Sequence, residues 1–201
     1  MPALRSISLN CTLKASPAPS STALMASLID DELAKLGVAT EALRIVDHVV
    51  KEGVSSDEGG GDEWPMIRSK ILDAQILVVA TPIWLGNPSS VARKVLERLD
   101  AFLGEVDEQG RIVSYDRVAV VGTVGNEDGA HMVGAQLFQG LADVGFTIPP
   151  NAQAYWVGEA MGSVDLNDLD EVPEKVRDTA ADVARNAVHL ATLLRDSPYP
   201  S

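Results

Sequence analysis

Apolar residues recur along the chain with two kinds of spacing, and the two kinds alternate from one end of the sequence to the other. A period of two, or a short unbroken apolar run, indicates a strand, whereas spacings of three and four indicate a helix. Strands are predicted over residues 4–13, 38–46, 75–80, 118–122 and 152–157. Helices are predicted over residues 25–36, 64–72, 91–103, 133–141 and 176–194. Five strands therefore alternate with five helices.

This alternation predicts an α/β fold in which a parallel sheet lies between two layers of helices, because parallel strands need helical crossovers. For five strands, we expect the flavodoxin-like three-layer sandwich with strand order 2-1-3-4-5. No internal repeat or domain boundary is evident, so residues 1–201 are predicted to form a single domain. A two-component receiver domain shares this strand order. Its acidic cluster after the first strand and its phosphorylatable Asp after the third are both missing here.

The loops after the first, third and fourth strands all leave from the carboxyl edge of such a sheet, where ligands bind. The first of these loops carries short hydroxyl side chains and leads into a helix. Hydroxyls, free backbone N–H groups and the helix dipole together make an anion site. The alternative is that a serine or threonine here only caps the helix. The candidate residues are Thr12, Lys14, Ser16, Ser20, Ser21 and Thr22.

The second loop, over residues 81–87, contains Pro82, which fixes a backbone dihedral angle, and Gly86, which allows backbone conformations that other residues avoid. A flat heteroaromatic ring needs an apolar wall and hydrogen bonds at its edge. Ile83 and Trp84 can form the wall, and Asn87 with the nearby backbone can reach the edge. The alternative is that Trp84 packs in the core. The candidate residues are Thr81, Pro82, Ile83, Trp84, Leu85, Gly86 and Asn87.

The third loop, over residues 123–129, places two glycines and an Asn-Glu-Asp trio before a helix. Gly125 allows the backbone to approach a ligand closely, and the backbone N–H groups around it can contact electron-rich ring oxygens. Asp128 is expected to cap the following helix rather than to act in catalysis. His131 is expected to be a surface or packing residue. The candidate residues are Thr123, Gly125, Asn126, Asp128 and Gly129.

These three segments resemble the flavin-binding loops of the flavodoxin-like NAD(P)H-dependent oxidoreductases, a family that includes NADPH-dependent FMN reductases and quinone reductases. Residues 81–87, Thr-Pro-Ile-Trp-Leu-Gly-Asn, are similar to the family's (S/T)-P-(I/V)-(Y/W)-x-G-(N/S) segment, which holds the isoalloxazine ring. Residues 20–23 resemble the end of its FMN-phosphate loop, and residues 123–129 resemble its third flavin loop. In one departure, residues 11–14 read Cys-Thr-Leu-Lys where the family often has G-S-x-R. Lys14 then replaces a bidentate arginine.

The resemblance implies FMN as the cofactor and NADH or NADPH as the electron donor, with two electrons passed to a quinone, a flavin or a similar acceptor. It implies no catalytic side chain, because the cofactor carries the chemistry, and it implies a homodimer or a larger homo-oligomer. The alternative is a flavodoxin-type electron carrier without substrate turnover of its own. Against that alternative, the third loop has no second aromatic residue to shield a flavin. A domain that has lost its cofactor is a third interpretation.

Composition narrows the partners and the location. The net charge of −13 disfavours nucleic acid and anionic membranes as partners. The single cysteine excludes an internal disulfide and a cysteine-ligated zinc or iron–sulfur centre, and no metal is expected. Without a long apolar run or a signal-peptide pattern, the expected location is cytoplasmic.

Two further local predictions concern polar segments. Residues 52–63 are acidic and glycine-rich and are predicted to form a mobile surface loop. Arg98 is predicted to lie off the apolar face of its helix.

Overall fold

The computed structural model describes residues 3–200 and contains one parallel sheet of five strands. A short sixth strand pairs antiparallel with the end of the third. The strands are β1 (Arg5–Asn10), β2 (Ala39–Arg44), β3 (Ile76–Trp84), β4 (Asn87–Pro88), β5 (Val118–Gly125) and β6 (Gln153–Val157). The parallel strands lie in the order β2-β1-β3-β5-β6, which is the predicted 2-1-3-4-5 order. The predicted flavodoxin-like sandwich is therefore confirmed.

Helices cover both faces of this sheet. They are α1 (Ser21–Lys35), α2 (Trp64–Asp73), α3 (Ser90–Leu99), α4 (Ala130–Asp143) and α5 (Glu174–Asp196). Because successive strand residues point to opposite faces, Val78 joins the core under α1 and α5, whereas Val79 joins the core under α2, α3 and α4. Both strand residues are fully buried. The continuous apolar runs seen in the sequence therefore belong to strands that are covered on both sides.

The helix that follows the first loop begins where the sequence indicates. Ser20 is the N-cap of α1, with an extended backbone and a side chain that accepts a hydrogen bond from the backbone N–H of Ala23 at 3.2 Å. After the last turn, Gly37 adopts a φ of +82°, a conformation that glycine reaches without steric strain. Among the described residues, no helix is both long and apolar enough to cross a bilayer.

β3 is longer than its predicted range, because it continues through Pro82 to Trp84. The neighbouring strand β1 ends opposite Ala80, so Pro82 is paired only with β5, and Ile83 and Trp84 beyond it pair with β4. A strand with one free side tolerates a proline, which lacks the N–H that a second neighbour would need. The second candidate loop is therefore mostly strand, and only Leu85 and Gly86 form its turn.

Two further expectations are wrong. Asp128 does not cap α4, because Gly129 is the N-cap residue and makes no side-chain capping bond. Arg98, predicted to lie off the apolar face of α3, is fully buried beside Val95 and Leu99, with its guanidinium bonded to the equally buried carboxylate of Asp62 at 2.7 Å. Residues 52–63 are therefore anchored to the protein through a buried ion pair and do not form a simple surface loop.

Candidate functional site

A cavity of about 490 Å³ opens at the carboxyl edge of the sheet. Pro82, Val124 and Trp156 lie side by side across β3, β5 and β6, and all three line the cavity. The period of two that places Val78 under α1 and α5 places these three residues on the same face. The cavity therefore lies above the sheet edge on the α1–α5 side, at a volume typical of small-molecule sites.

The structure brings members of all three candidate loops together around this cavity. The first loop contributes hydroxyl side chains and one lysine to the lining. The second loop contributes the apolar end of β3, and the third contributes the turn before α4. The predicted residues that line the cavity are Thr12, Lys14, Ser20, Ser21, Thr22, Pro82, Ile83, Trp84, Leu85, Gly125 and Asn126. Separate loops far apart in the sequence thus converge on one concave site.

Three predicted residues, Ser16, Thr81 and Thr123, lie outside the cavity and are hydrogen-bonded to other residues there. Ser16 donates to the carboxylate of Asp47 from its backbone N–H at 2.8 Å and from its hydroxyl at 2.6 Å. These hydrogen bonds hold the pKa of Asp47 below its usual range. Thr81 is buried and accepts from the backbone N–H of Ser89 at 3.0 Å, while Thr123 is buried and accepts from Gln153 at 2.9 Å.

Four more predicted residues, Gly86, Asn87, Asp128 and Gly129, also lie outside the cavity lining. Three of them join the β3–β4 hairpin to α4. A Cβ atom built on Gly129 would lie 2.7 Å from the Cα atom of Gly86, so the two backbones touch. Gln136 of α4 donates to the side-chain oxygen of Asn87 at 3.3 Å. The glycines and the asparagine that made these positions stand out in the sequence therefore serve the contact between the hairpin and the α4 region, not the ligand.

The tip of the hairpin is held by Glu127, a residue that the sequence analysis does not single out. Its Oε1 atom accepts from the backbone N–H of Leu85 at 3.0 Å, and its Oε2 atom accepts from that of Gly86 at 3.1 Å. These two N–H groups belong to the backbone expected to reach the edge of a ring. In this structure Glu127 occupies them instead.

A fourth wall comes from the segment after β6, residues 158–168, which contains none of the predicted site residues. The backbone N–H of Met161 donates to the carbonyl of Asn126 at 2.9 Å, and the Asn126 amide donates to Asp165 at 3.0 Å. Asn167 is hydrogen-bonded to the hydroxyl of Ser21 at the start of α1. This segment therefore ties the first loop to the third across the cavity.

Seven lining residues are absent from the predicted set. They are Leu13, Val124, Glu127, Trp156, Met161, Gly162 and Asp165. A tryptophan at the end of the last strand was a usable signal for Trp156, because the carboxyl edge of the sheet carries the site. Met161 has no such signal in the sequence; it has a φ of +63° and is 94% exposed.

Two aromatic residues line the cavity from different strands. Trp84, at the end of β3, is 54% exposed, which contradicts the alternative that it packs in the core. Trp156, on β6, is half-buried. The third loop lacks a second aromatic residue to shield a flavin, but Trp156 of β6 supplies one from another wall of the cavity. The electron-carrier alternative therefore stays open.

The chemistry of the lining is that of a binding site more than that of an acid–base centre. Cys11 is buried below the first loop, and burial raises the pKa of its thiol far above the ordinary range, so a thiolate nucleophile is disfavoured. His131 packs edge-on against Tyr155, with ring centroids 5.1 Å apart, and does not line the cavity. In the described part of the chain, no cluster of three or more His, Cys, Asp or Glu side chains is arranged to hold a metal ion.

Fold and site together define a flavodoxin-like α/β sandwich with a ligand cavity at the carboxyl edge of its sheet. The sequence model of the NADPH-dependent FMN reductases matches residues 11–161. The chain belongs to this family of flavin-dependent oxidoreductases.

Two relatives are similar over nearly the whole chain. The 8-demethyl-8-aminoriboflavin-5′-phosphate synthase of Streptomyces davaonensis is 34% identical over 210 residues, covering 98% of this chain and 80% of the relative. The divalent metal cation transporter MntH of Mycobacterium bovis is 38% identical over 199 residues, covering 96% of this chain. The chain spans only 29% of that second relative's length.

Solved structures agree with this assignment. RosB with the bound intermediate 8-demethyl-8-formylriboflavin-5′-phosphate superposes with a TM-score of 0.89 at 32% identity, covering 99% of this chain and 83% of RosB. An NADH:FMN oxidoreductase, EmoB, superposes with a TM-score of 0.63 at 14% identity, covering 98% of this chain and 92% of its own. A flavodoxin from the Archaea has a TM-score of 0.58 at 11% identity, covering 92% of this chain and 100% of its own. The last two show the shared fold.

Proposed function

We propose that this chain binds FMN in the cavity and passes two electrons from NADH or NADPH to a quinone, a flavin or a similar small acceptor. The observation that carries the proposal is the cavity itself, which joins a hydroxyl-rich helix N-terminus to an apolar, partly aromatic wall. Two comparisons support it: membership of the FMN reductase family, and the similarity to RosB with a riboflavin-5′-phosphate derivative bound.

The residues present fit the two ends of FMN. A phosphate suits the start of α1, where the N-terminus of a 15-residue helix, the Ser21 and Thr22 hydroxyls and the exposed Lys14 lie together. The Ser20 hydroxyl is less available because it caps the helix, and a phosphate that uses the Ser21 hydroxyl has to displace Asn167 from it. A flat ring suits the other end, where Ile83, Trp84 and Trp156 give an apolar lining.

FMN, when bound, supplies the hydride-accepting and electron-passing chemistry. The chain supplies binding, orientation and exclusion of water: the first loop and α1 hold the anionic end, and the walls from β3, β6 and residues 158–168 enclose the rest. No lining side chain is assigned a nucleophilic or acid–base role.

A second candidate function is chemical modification of the flavin itself. It is favoured by one observation, the 34% identity to an aminoriboflavin-5′-phosphate synthase over 98% of this chain. In that case, a flavin phosphate is the substrate and leaves the site changed. The two functions share the cavity and differ in the fate of the flavin.

The first experiment mixes the purified protein with FMN and measures bound-flavin absorbance after removal of free flavin. Anaerobic addition of NADH or NADPH is expected to bleach the flavin, and a quinone is expected to restore the absorbance. No binding at micromolar concentrations would overturn both functions. Binding without bleaching by either nicotinamide favours the electron carrier, and an altered flavin mass after turnover favours flavin modification.

The placement of the anionic end is tested by one matched pair of variants on α1. Ser21→Glu puts a carboxylate at the proposed phosphate position and is expected to abolish FMN retention, because like charges repel. Ser27→Glu makes the same substitution on the same helix at an exposed position outside the cavity, and is expected to leave FMN affinity unchanged. Equal FMN affinity in both variants refutes the placement.

Assembly and location are also proposals. Leu85 and Met161, both at the cavity, are 89% and 94% exposed, and large exposed apolar side chains are typical of surfaces that pair with another protein. We propose a homodimer that covers them, which sedimentation of the purified protein tests directly; a monomer at micromolar concentration contradicts it. The cytoplasmic location stays a prediction from composition.

A further inference from the structure

The tip of the β3–β4 hairpin is a small anion-binding concavity that the chain fills with its own carboxylate. Leu85 and Gly86 both have positive φ values, 52° and 70°, and form the two-residue turn between Trp84 and Asn87. Consecutive N–H groups in such turns converge on one anion. Here that anion is the carboxylate of Glu127, which accepts one hydrogen bond on each oxygen, at 3.0 and 3.1 Å.

This contact spans 42 residues of sequence and joins two walls of the cavity. Leu85 belongs to the wall from β3, and Glu127 belongs to the wall from the third loop. Two other contacts secure the hairpin: the packing of Gly129, just before α4, on Gly86, and the hydrogen bond from Gln136, in the middle of α4, to Asn87. Unlike those contacts, the Glu127 bonds lie at the cavity surface itself.

We propose that Glu127 is a positioning residue for the ligand site. It holds the Trp84–Leu85 wall at a fixed distance from the third loop and keeps the Leu85 and Gly86 N–H groups away from the ligand. A carboxylate accepts stronger hydrogen bonds than a neutral ring carbonyl or ring nitrogen. A neutral ring edge is therefore not expected to displace it.

A second consequence is electrostatic. Glu127 lines the cavity, so its negative charge lies close to any ligand bound there. Because the cavity partly excludes water, that charge is screened less than it would be in bulk solvent. A flavin that gains electrons gains negative charge, which a neighbouring carboxylate disfavours. Glu127 is therefore expected to hold the midpoint potential of bound FMN at a more negative value. This part of the inference rests on the proposed flavin function, whereas the hairpin bonds do not.

The test uses Glu127→Gln, which keeps the side-chain shape but removes the charge and turns a donor toward one of the two N–H groups. Glu97→Gln on the exposed side of α3 removes the same charge away from the cavity and is the control. Hydrogen exchange at Leu85 and Gly86 in ligand-free protein is expected to be at least tenfold faster in Glu127→Gln only. FMN affinity is expected to fall about tenfold, and the midpoint potential of bound FMN to shift to a more positive value.

The outcomes separate this inference from the proposed function. If the wild-type chain binds no FMN, the proposed function fails, and hydrogen exchange still tests the hairpin bonds. If FMN binds and the two wild-type amides lose protection, Glu127 has been displaced from them by ligand binding and the inference is overturned. If Glu127→Gln does not fold, Glu127→Asp replaces it: it keeps the charge but is too short to reach both N–H groups. Faster exchange with a near wild-type potential then supports the inference, and unchanged exchange overturns it.

Discussion

Gly129, the first residue before α4, lies against Gly86 at the tip of the β3–β4 hairpin. A Cβ atom on Gly129 would be 2.7 Å from the Gly86 Cα atom and 3.2 Å from its carbonyl carbon and oxygen. Gly129 also has a φ of +119°, where residues with a side chain are strained. The second and third loops therefore form one unit, and that unit is a wall of the cavity.

The first prediction concerns this close approach. Gly129→Ala is expected to lower the free energy of unfolding by about 1–3 kcal/mol, because the new methyl group meets backbone and the φ becomes strained. It is also expected to weaken FMN binding by moving the hairpin. Gly104→Ala is the control, since a Cβ there meets no atom within 4 Å and the φ is ordinary. Thermal unfolding measures both, and equal stability of the two variants contradicts the prediction.

The second prediction concerns the ion pair of Arg98 and Asp62. Both side chains are fully buried, and the guanidinium also donates to the carbonyls of Lys51 and Ser55, each at 2.9 Å. Arg98→Met is expected to lower the free energy of unfolding by about 3–5 kcal/mol, because it leaves a buried carboxylate without its partner. Arg93→Met, exposed on the same helix, is expected to cost far less.

Urea unfolding of the double variant Arg98→Met/Asp62→Asn sharpens this second test. It removes both charges and is expected to recover part of the loss. Burial by itself would raise the pKa of Asp62, but hydrogen bonds from Arg98 and three backbone N–H groups hold it well below its usual range. The contribution of the pair is therefore present above the unfolded value near 3.8 and is lost as the pH falls further. A double variant less stable than Arg98→Met argues against this account.

The third prediction concerns pH. Burial raises the pKa of Asp30 from 3.8 to about 6, although Ser8 donates a hydrogen bond to its carboxyl group at 2.6 Å. A raised carboxyl pKa favours the folded state below about pH 4, and that advantage is lost as the pH rises through 6. Asp30→Asn keeps an acceptor for Ser8 and removes the charge. It is expected to be more stable than wild type by roughly 3 kcal/mol at pH 7.5, from about two pKa units at about 1.4 kcal/mol each.

Denaturant unfolding from pH 4 to pH 8 checks the sign of the Asp30 effect. The stability difference between Asp30→Asn and wild type is expected to be small near pH 4, to grow up to about pH 6 and then to level off. Asp100→Asn, at an exposed position just after α3 on the opposite face of the sheet, is the control and is expected to show no such rise, whereas Asp31 itself contributes to the raised pKa of Asp30. A difference that shrinks as the pH increases would mean that the assigned direction of the pKa shift is wrong.

The fourth prediction concerns the aromatic lining. Trp156→Leu is expected to weaken FMN binding about tenfold, since an aromatic contact contributes about 0.5–1.5 kcal/mol beyond the area it buries. Tyr155→Leu is the matched control, because the adjacent strand residue points to the opposite face of the sheet and does not line the cavity. Titration of both variants with FMN measures the effect. A larger loss in Tyr155→Leu would place the ring outside this cavity.

Much of the fold follows from the sequence because alternation and helical spacing are repeated signals. Predictions failed where one residue was decided by distant contacts. The end of β3 depends on where β1 stops, which no pattern near Pro82 reveals. A charged side chain such as that of Arg98 is predicted to lie off the apolar face of its helix. It is buried because it pairs with Asp62, which lies 36 positions earlier in the chain.

The candidate site shows the same division. Its hydroxyl loop, its β3 wall and its third loop are visible as unusual local sequences, and the structure brings members of all three to one cavity. The wall from residues 158–168 is not visible, because it is defined by hydrogen bonds to Asn126 and Ser21. Ser16 has the residue type of an anion ligand, but Asp47 binds it outside the cavity.

By itself, the sequence determines the order of strands and helices, the two-sided burial of the central strands and the edge of the sheet that carries the ligand site. These are consequences of periodicity, of capping and turn residues and of the handedness of parallel connections, which act locally. Only the tertiary structure decided that Glu127 accepts hydrogen bonds from the hairpin amides, that Gly129 packs against the backbone of Gly86 and that Trp156 completes the lining of the cavity. Such contacts join residues that are far apart in the chain. They depend on how the whole interior packs, which no local sequence pattern contains.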